Sequence, residues 1–438
     1  MGMVSVSADV TPADLSIEDA RVLGREGRFD VAIADGVIRS VTPRDGGGAA
    51  GAGAAGAAPV VPAPAIERID ARGGLVSPSF VEPHYHPDKA FSRRGRVEQP
   101  DGFELAREIK AGFTEAGVEA RATEAFRLAV SQGVGSMRAN VDVDSIAGLT
   151  NVRGVLAARE RVRDLIDVQV VAFPQEGLLR DAPAQELLVQ AMAEGADVVG
   201  GWPNVEDGEA AQLAHLDFVF DLAERFDADL DVHVDCYCDP AERMLEPLAE
   251  RTLARGFEGR VLASHCCGLE VYPDDDARRV IGRVAAAQIH VCVQPANTSA
   301  QYGPRGLSRT RELLAAGVPV SAGSDNMFDG WYLLGNLDPL DRAVLAYHGA
   351  GLGGRYTHLP TELLWELVTD RAAAAIGTTP GRVEAGAPAD LVVFDAPDVE
   401  LALAALPGKR TTIKRGRVVA ARESAVWSVG GRCAACAP

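Results

Sequence analysis

Short apolar runs recur along the middle of the chain, and each is followed by a polar or proline-containing turn and then a helical stretch. There are eight such runs: LVSPSFVEPHYH, VGSMRANVDV, DVQVVAFPQ, DVVGGWPNV, LDVHVDC, VLASHCC, HVCVQP and PVSAGSDN. The segments between them, such as AAQLAHLDFVFDLAERF, have apolar positions at helical spacing. Eight strand–helix alternations in one block predict an α/β fold, a (β/α)₈ TIM-type barrel. A doubly wound sheet agrees less well with the sequence, because no glycine-rich phosphate-binding motif follows the first strand.

Both ends of the chain have a different, β-rich pattern. The run DVAIADGVIRSV alternates and contains Asp35-Gly36, which predicts a hairpin. Near the other end, ADLVVFDAP and TTIKRGRVVA resemble short strands, with Arg415-Gly416 at a turn. We therefore expect a small β-sandwich domain formed from both chain termini, residues 1–77 and 387–438, with a flexible Gly/Ala loop at 46–65. Residues 78–386 would form the barrel.

Length and charge restrict the classes of partner. A chain of 438 residues fits one barrel with an accessory domain, and its net charge of −19 argues against nucleic acid or an anionic membrane surface. The uncharged stretch from Gly46 to Ile66 is rich in Gly, Ala and Pro, so we interpret it as a loop and not as a membrane span. We expect a small-molecule substrate, no nucleic acid and no membrane partner, with a homo-oligomer left open.

The cysteines suggest a reducing compartment. There are seven, an odd number, and the N-terminal sequence has no pattern of a secretory signal. We therefore expect a cytoplasmic protein with reduced thiols. Cys433 and Cys436 form a CxxC, but no second pair follows that would complete a zinc site.

Several predicted strands end in polar residues, at the end of a barrel where active sites are built. The first strand ends in His84-Tyr85-His86, and residues two apart in a strand point to the same side. Four further strand ends carry polar side chains: Gln175, His233, His265 and Asp325. Because the carboxyl ends of the strands meet in a barrel, the histidines and the aspartate together predict a metal site.

Imidazole nitrogens with one carboxylate are ligands that borderline divalent ions prefer. We therefore predict one divalent ion, Zn²⁺ first, with Fe²⁺ or another first-row ion as alternatives. Such an ion lowers the pKa of its bound water to roughly 7, so no covalent nucleophile is required. A two-metal site usually needs a lysine at the end of the fourth strand, and DVVGGWPNV has none. The remaining histidines are expected to be structural or at the surface: His215, His290, His348 and His358.

With this strand order and these polar ends, the chain resembles the amidohydrolase superfamily over nearly its whole length, and within it the cytosine deaminase family. The motifs that carry the resemblance are LVSPSFVEPHYHPDK, VVAFPQEG, DVHVDC, SHCCGL, QYGPRGLSRTRELLAAGVPV and, above all, SAGSDNMFDGWYLLG. The resemblance implies four metal ligands: His84, His86, His233 and Asp325. It further implies that His265 contacts the hydrolytic water as base or electrophile, that Asp325 shuttles its proton, and that Gln175 contacts the substrate ring.

One position departs from that family. Cytosine deaminases have a catalytic glutamate three residues after the strand-five histidine, where it protonates a ring nitrogen, and this chain has Cys236 there. Asp235 is the nearest carboxylate, and by alternation it should point with His233. A thiol with an ordinary pKa of about 8.5 replaces a carboxylic acid poorly. We therefore expect weak or absent activity on cytosine itself.

Two other residues make the chain similar to the N-isopropylammelide amidohydrolase branch, which removes an alkylamino group from a triazine ring. Lys89 follows the HxH motif, and Asn326 stands where cytosine deaminases have a second aspartate. Lys89 would hold the substrate as a cationic donor, or else lie on the barrel rim. Trp331 and Phe328 would wall the pocket or pack in the core. The predicted substrate contacts are Gln175, Lys89, Asn326, Trp331 and Cys236.

Three functions stay open from the sequence. The first is the removal of ammonia or an alkylamine from a nitrogen heterocycle by a metal-activated hydroxide. The second is hydrolysis of an amide, carbamate or thiocarbamate by the same site, because specificity on this fold depends on the loops. The third is a binding protein without catalysis, which the missing acid at Cys236 would allow.

Overall fold

The computed structural model describes residues 13–44, 65–93, 102–303, 307–353, 361–404 and 408–423. In chain order the strands are β1 (Ala13–Val22), β2 (Phe29–Ala34), β3 (Val37–Pro43), β4 (Ala65–Asp70), β5 (Leu75–Pro78), β6 (Phe80–Tyr85), β7 (Val134–Asp142), β8 (Asp167–Phe173), β9 (Val198–Gly201), β10 (Asp229–Val234), β11 (Val261–His265), β12 (His290–Val293), β13 (Val320–Ala322), β14 (Leu391–Phe394), β15 (Arg410–Lys414) and β16 (Arg417–Arg422). The helices are α1 (Gly102–Lys110), α2 (Glu115–Ser131), α3 (Thr150–Val162), α4 (Ala184–Ala193), α5 (Glu209–Phe226), α6 (Leu245–Arg255), α7 (Asp274–Ala286), α8 (Pro295–Tyr302), α9 (Thr310–Ala315), α10 (Pro339–Gly349), α11 (Thr361–Glu366), α12 (Asp370–Ala375) and α13 (Val399–Ala404).

Strands β6 to β13 form one parallel sheet in which each strand pairs with its neighbour in the chain. All eight predicted strands are present, and the predicted TIM-type barrel is confirmed. The barrel closes where Tyr85 forms a parallel bridge with Asp325. Here His86 N donates to Asp325 O, and Asp325 N donates to His84 O, both at 2.9 Å. This closing seam therefore runs between residues that the sequence predicts to bind metal.

Helices cover the barrel through amphipathic faces, and α2 shows how the sequence produces one. Its residues Val118, Ala122 and Phe126 repeat at intervals of four and are fully buried in the barrel core. The helix begins after Thr114, whose side chain accepts a hydrogen bond from Gly117 N at 3.2 Å. The buried face holds the strands rigidly, which fixes the positions of the residues at their ends.

The second sheet combines strands from both ends of the described chain, in the order β16-β15-β14-β5-β1-β2-β3, with β4 paired to β1. The predicted contribution of both ends of the chain to one small β-structure is thus confirmed, as a mixed sheet. The domain bounds at residues 77 and 387 stay predictions. Both predicted hairpins are also present, between β2 and β3 and between β15 and β16. Asp35 and Gly36 have φ of 54° and 74°, and Arg415 and Gly416 have φ of 46° and 75°. Left-handed residues at both central positions are what a tight two-residue hairpin turn requires.

Some sequence predictions fall outside the described residues. These are almost all of the Gly/Ala loop at 46–65, the CxxC of Cys433 and Cys436, and His358. Within the described ranges, no helix has the length and apolar character needed to cross a membrane.

Arg410 of β15 connects the second sheet to the barrel through a buried ion pair. Its guanidinium donates to both carboxylate oxygens of Asp338, at 2.8 and 2.9 Å, and to Gln132 O at 2.9 Å. Asp338 in turn caps α10 by accepting from Leu340 N. Both side chains are at most 5% exposed, so removal of the cation would leave a buried carboxylate poorly compensated.

We expect Arg410→Ala to lower the free energy of unfolding by about 3 kcal/mol, because breaking a buried pair leaves an uncompensated charge. Urea-induced unfolding followed by circular dichroism measures the change. The matched control is Arg422→Ala, since Arg422 approaches the same carboxylate at 3.5 Å with a side chain that is 25% exposed. The control should cost less than about 1 kcal/mol. Equal effects of the two substitutions would contradict the prediction.

Candidate active site and metal centre

Five side chains converge at the carboxyl end of the barrel. His86 Nε2 lies 3.2 Å from His233 Nε2 and 3.5 Å from Asp325 Oδ1. His84 Nε2 lies 3.6 Å from the same aspartate oxygen. Ligand atoms of four residues lie within 4.8 Å of one another: His84, His233, His265 and Asp325. A tetrahedral ion with bonds of about 2.1 Å separates its ligand atoms by about 3.4 Å, so these distances fit a single divalent ion.

The backbone is strained at two of these positions. His265 ends β11 with φ of 75°, and Asp325 follows β13 with φ of 65°. Residues with a side chain avoid this left-handed region, and holding one there costs on the order of 1–3 kcal/mol. The surrounding structure must supply that free energy. The two side chains are thereby turned toward the centre of the barrel mouth.

His84 is oriented by a buried chain of polar groups inside the barrel. Its Nδ1 lies 2.9 Å from Ser264 Oγ, and that hydroxyl donates to Asp231 Oδ1 at 3.2 Å. The other ring nitrogen, Nε2, is buried and has no hydrogen-bond partner among the described residues. Histidines that bind metals use one nitrogen as ligand and have the other held by a second group. His84 therefore has the environment of a metal ligand.

The protonation states of the imidazoles also suit a cation. Burial, together with neighbouring positive groups, lowers the pKa of His86 and of His233 well below the ordinary value, so both rings are neutral with a lone pair available. Burial also opposes the charged form of His84, but Asp231 and Asp325 outweigh it and raise the pKa of His84 to about 9. The two carboxylates thus favour positive charge beside His84, which suits a site for a cation.

Asp325 is held as a carboxylate with a fixed orientation. Burial raises the pKa of Asp325, but His265 and His84 outweigh this effect, and the pKa is lowered. Asn297, on α8, donates from its amide nitrogen to Asp325 Oδ2. The other oxygen, Oδ1, is the one that faces His84 and His86. One oxygen is therefore anchored and the other is directed at the candidate metal position.

A cavity of about 490 Å³ opens above these groups. This volume includes space that is open to solvent, so a small ligand could enter the cavity from outside. Its lining consists of His86, Lys89, Gln175, Trp202, His233, Cys236, Tyr237, His265, Asn297, Thr298, Gln301, Asp325, Asn326 and Trp331. Phe173 stacks on His233 with ring centroids 4.0 Å apart, and Trp202 stacks on Phe173 at 6.0 Å. Trp202, Tyr237 and Trp331 contribute aromatic rings to the lining, and such rings can stack on a flat ligand.

Lys89 and Gln175 lie together in the cavity lining. A buried network of charged side chains next to the lining holds Lys89 in place. The Lys89 ammonium donates to Gln175 Oε1 and to Asp142 Oδ1, both at 2.8 Å. Lys110 donates to the other oxygen of Asp142 at 3.2 Å and also pairs with Asp144 and Glu176. The prediction that Lys89 and Gln175 share a site therefore agrees with their placement, while Asp142 and Lys110 were not predicted.

Cys236 lines the cavity, as the sequence suggested, but the prediction for Asp235 was wrong. Strand β10 ends at Val234, and Asp235 has φ of 48°, so the alternation of side chains stops before it. Its carboxylate accepts hydrogen bonds from Met244 N and Leu245 N, at the start of α6. It is also absent from the cavity lining. Burial raises the pKa of the Cys236 thiol well above its usual range.

The residues after β13 differ in whether their side chains reach the cavity. Trp331 lines the cavity, but Phe328 does not and is 41% exposed. Asn326 also lines it, with both ends of its amide already engaged. Its nitrogen donates to Asp329 Oδ2 at 2.8 Å, and its oxygen accepts from Asn297 at 3.1 Å. Asn326 therefore shapes this wall more than it offers a free hydrogen-bonding group.

Sequence reasoning missed several residues in the cavity lining and next to it. Trp202 and Asp142 lie directly at the ends of β9 and β7, where the rule for barrel active sites could have identified them. Tyr237, Asn297, Thr298 and Gln301 lie on a loop and a helix, and no local pattern distinguishes them. The other described histidines lie outside the lining. His215 is buried on α5, where it accepts from Trp202 N and contacts Glu206, while His290 starts β12 and His348 lies on α10.

Several known proteins are similar to this chain in sequence or in fold. N-isopropylammelide isopropyl amidohydrolase of Pseudomonas sp. (strain ADP) is 29% identical over 366 residues, which cover 81% of this chain and 88% of that protein. Pterin deaminase of Rhizobium rhizogenes (strain K84 / ATCC BAA-868) is 30% identical over 411 residues, covering 90% and 88%. The structure of 5-methylcytosine deaminase from Klebsiella pneumoniae, liganded with phosphonocytosine, has a TM-score of 0.83 and 31% identity and covers 94% of this chain and 100% of that one.

These relatives confirm the resemblance on which the sequence predictions relied. A protein-family model with the description "Amidohydrolase family" matches residues 95–420, which is most of the chain. The matched region contains barrel strands β7 to β13 and, from the second sheet, β14, β15 and most of β16. The match, the barrel and the two similar sequences agree, and this chain belongs to the amidohydrolase family.

Proposed function

We propose that the chain removes an exocyclic amino or alkylamino group from an oxo-substituted nitrogen heterocycle, with water supplying the oxygen that replaces it. One divalent ion, Zn²⁺ before Fe²⁺ or another first-row ion, would be held by four residues: His84, His86, His233 and Asp325. The observation that carries the proposal is the convergence of these ligand atoms below a cavity that is lined by three large aromatic rings and by hydrogen-bond donors. The names of the similar proteins, an amidohydrolase of N-isopropylammelide and deaminases of pterin and 5-methylcytosine, support the same class.

The contacts of Lys89 determine which substrate groups the cavity can bind. An ammonium only donates, so the Gln175 atom that lies 2.8 Å from it must be the amide oxygen. The amide N–H groups of Gln175 are then left for a ligand. Both side chains line the cavity, and both offer donors to it. Their complement is an acceptor, such as a carbonyl oxygen or a deprotonated ring nitrogen, whereas an amino group there would face donors.

When bound, the ion would supply a water with a lowered pKa for attack on the ring carbon. Asp325 accepts the proton of this water, because its carboxylate is ionised and anchored by Asn297. His265, within the same cluster, holds the water by a hydrogen bond. The Cys236 thiol keeps its proton, so we assign delivery of a proton to the departing amine to Asp325.

A substrate panel tests the proposal. Amino- and alkylamino-oxotriazines, pterin, 5-methylcytosine and cytosine are each incubated with protein containing about one metal ion per chain, and released ammonia or amine is measured. We expect the fastest release from the amino- and alkylamino-oxotriazines and little from cytosine, since Cys236 stands where protonation of the pyrimidine ring nitrogen needs an acid. Metal-loaded protein that is inactive on all these rings would contradict the proposal. Efficient turnover of cytosine would contradict the argument from Cys236.

Lys89→Met should lower kcat/KM for an oxo-substituted substrate by roughly 10- to 100-fold. A hydrogen bond to a charged group contributes about 1.5–3 kcal/mol, and about 1.4 kcal/mol corresponds to tenfold. Asp142 keeps Lys110 as its partner, so the fold should survive. The matched control is a substrate with an amino group in place of the oxo group, whose kcat/KM should change little. An equal loss for both substrates would show that Lys89 only supports the structure.

We further propose that the protein works in the cytoplasm. All five described cysteines are thiols: Cys236, Cys238, Cys266, Cys267 and Cys292. Thiols persist in reducing compartments, whereas proteins of oxidising compartments commonly carry disulfides.

A further inference from the structure

His215 and Glu206 form a buried pair next to the cavity, and the proposed reaction does not use either side chain. Both side chains are fully buried, and His215 Nδ1 lies 2.8 Å from Glu206 Oε1. Neither residue belongs to the cavity lining. Burying an imidazole and a carboxylate is costly unless their polar atoms have partners. The other partners of the pair therefore indicate which parts of the protein it holds in place.

The hydrogen bonds of His215 determine which of its ring nitrogens carries the proton. Its Nε2 lies 2.9 Å from the backbone nitrogen of Trp202. A backbone N–H only donates, so Nε2 accepts, and the ring proton lies on Nδ1, which donates to Glu206. Burial lowers the pKa of His215, although Glu206 opposes this effect, and the ring is therefore neutral, as these bonds require. His215 thus connects Glu206 to Trp202, whose side chain lines the cavity.

The carboxylate of Glu206 holds the loop that follows Gln175. Its Oε1 accepts from Leu178 N at 2.5 Å, its Oε2 accepts from Arg180 N at 3.1 Å, and Leu179 N lies within 3.3 Å of both oxygens. Successive backbone N–H groups form a concave site for an anion. Burial raises the pKa of Glu206, but His215 and these N–H groups outweigh it and lower the pKa. The ionised carboxylate is thus bound three residues beyond Gln175, which lines the cavity.

Two glycines allow the pair to approach the backbone of both loops. A Cβ atom at Gly201, directly before Trp202, would lie 3.3 Å from His215 Nε2. A Cβ atom at Gly177 would lie 2.9 Å from Glu206 Oε1, and Gly177 also has φ of 92°, which favours glycine. A side chain at either position would crowd the pair. Each loop therefore has a glycine where the pair contacts it.

We propose that His215 and Glu206 are positioning residues of the active site. Together they fix Trp202, which follows β9, relative to Gln175, which follows β8, and thereby raise the affinity for the substrate without touching it. The inference rests on the proposed function, because it concerns the binding of a heterocycle in that cavity. No hydrogen bond between described residues joins the pair to the proposed metal ligands, so metal binding should not depend on it.

Two substitutions of His215 separate positioning from the filling of space. Phenylalanine fills the space but cannot accept from Trp202 N or donate to Glu206, whereas glutamine offers an acceptor and a donor on one planar group. A small displacement of groups that hold a substrate can cost about 10²-fold. We therefore expect His215→Phe to lower kcat/KM by roughly 10- to 100-fold, mainly through KM, with metal content still near one per chain. His215→Gln should recover most of this loss.

Hydrogen–deuterium exchange of the full-length, metal-loaded protein tests the positioning itself and does not depend on the proposed function. Local openings of a loop expose its backbone N–H groups to exchange. His215→Phe should speed exchange in the peptide that contains Trp202. Glu206→Gln places an amide N–H₂ group against backbone donors, so it should speed exchange in the peptide that contains residues 178–180. Unchanged exchange in both peptides would overturn the proposal.

The matched control is Leu222→Ala. Leu222 is buried on α5 seven residues after His215, and therefore on the same face of the helix. This substitution should make the protein easier to unfold in urea, but should leave KM and the exchange of both peptides unchanged. If His215→Phe raised KM no more than Leu222→Ala does, the pair would only support the structure and the proposal would be wrong. Absence of turnover by all metal-loaded variants and by the unmodified chain would instead contradict the proposed function.

Discussion

Replacing His84 with Ala is expected to produce a folded protein that purifies without metal and has no measurable turnover. His84 offers a buried nitrogen with no partner among the described residues, 3.6 Å from Asp325 Oδ1. Loss of a group that merely supports a metal ligand typically weakens binding by about 10- to 100-fold, so loss of a ligand should cost at least as much. Elemental analysis of the purified protein measures the metal content directly.

The matched control for this experiment is His348→Ala. His348 lies on α10, outside the cavity lining, so its loss should leave metal content and turnover unchanged. Chelation of the unmodified protein followed by separate addition of Zn²⁺ and Fe²⁺ identifies the ion that restores activity. Unchanged metal content in His84→Ala would defeat the proposed ligand set.

The second large effect is expected for His265→Asn. This residue belongs to the same cluster of ligand atoms, yet the proposed function gives it the role of holding the attacking water. Acid–base or hydrogen-bonding assistance of that kind is typically worth about 10²–10⁴ in rate. We therefore expect kcat to fall within that range, with metal content still near one per chain, since asparagine is polar and similar in size.

Two outcomes would change the assignment of His265. Loss of the ion would make it a ligand, which its distance from the other ligand atoms also allows. Full activity would leave Asp325 alone as the group that handles the proton. Measuring kcat and metal content on the same preparation separates these cases.

The sequence predicted the barrel and the convergence of its polar strand ends, for reasons that are local. His84 and His86 are two apart in a strand, so one pattern of alternation places both on the inside, and parallel strands bring His233 and Asp325 to the same end. The same reasoning failed at Asp235, because it assumed that the strand continued for one more residue. The end of a strand depends on contacts with other segments, here the start of α6, which no local pattern shows.

The supporting residues were beyond prediction for a related reason. Ser264 and Asp231 hold His84 from positions 180 and 147 residues away in the chain, respectively. Lys110 neutralises acids that come from β7 and the loops that follow β7 and β8. Taken alone, each of these side chains is an ordinary polar residue. Their function arises only when the fold brings them together inside the barrel, where a charge must be compensated.

The closing seam of the barrel has a thermodynamic consequence. The first and last strands meet through few backbone contacts, and those contacts involve His84, His86 and Asp325. An ion bound by their side chains would therefore also join the two edges of the sheet. Anything that binds the closed form and not the open one stabilises closure in proportion to the logarithm of its concentration over its dissociation constant. The concentration of available metal would thus affect the stability of the closed barrel, and not only whether the enzyme turns over.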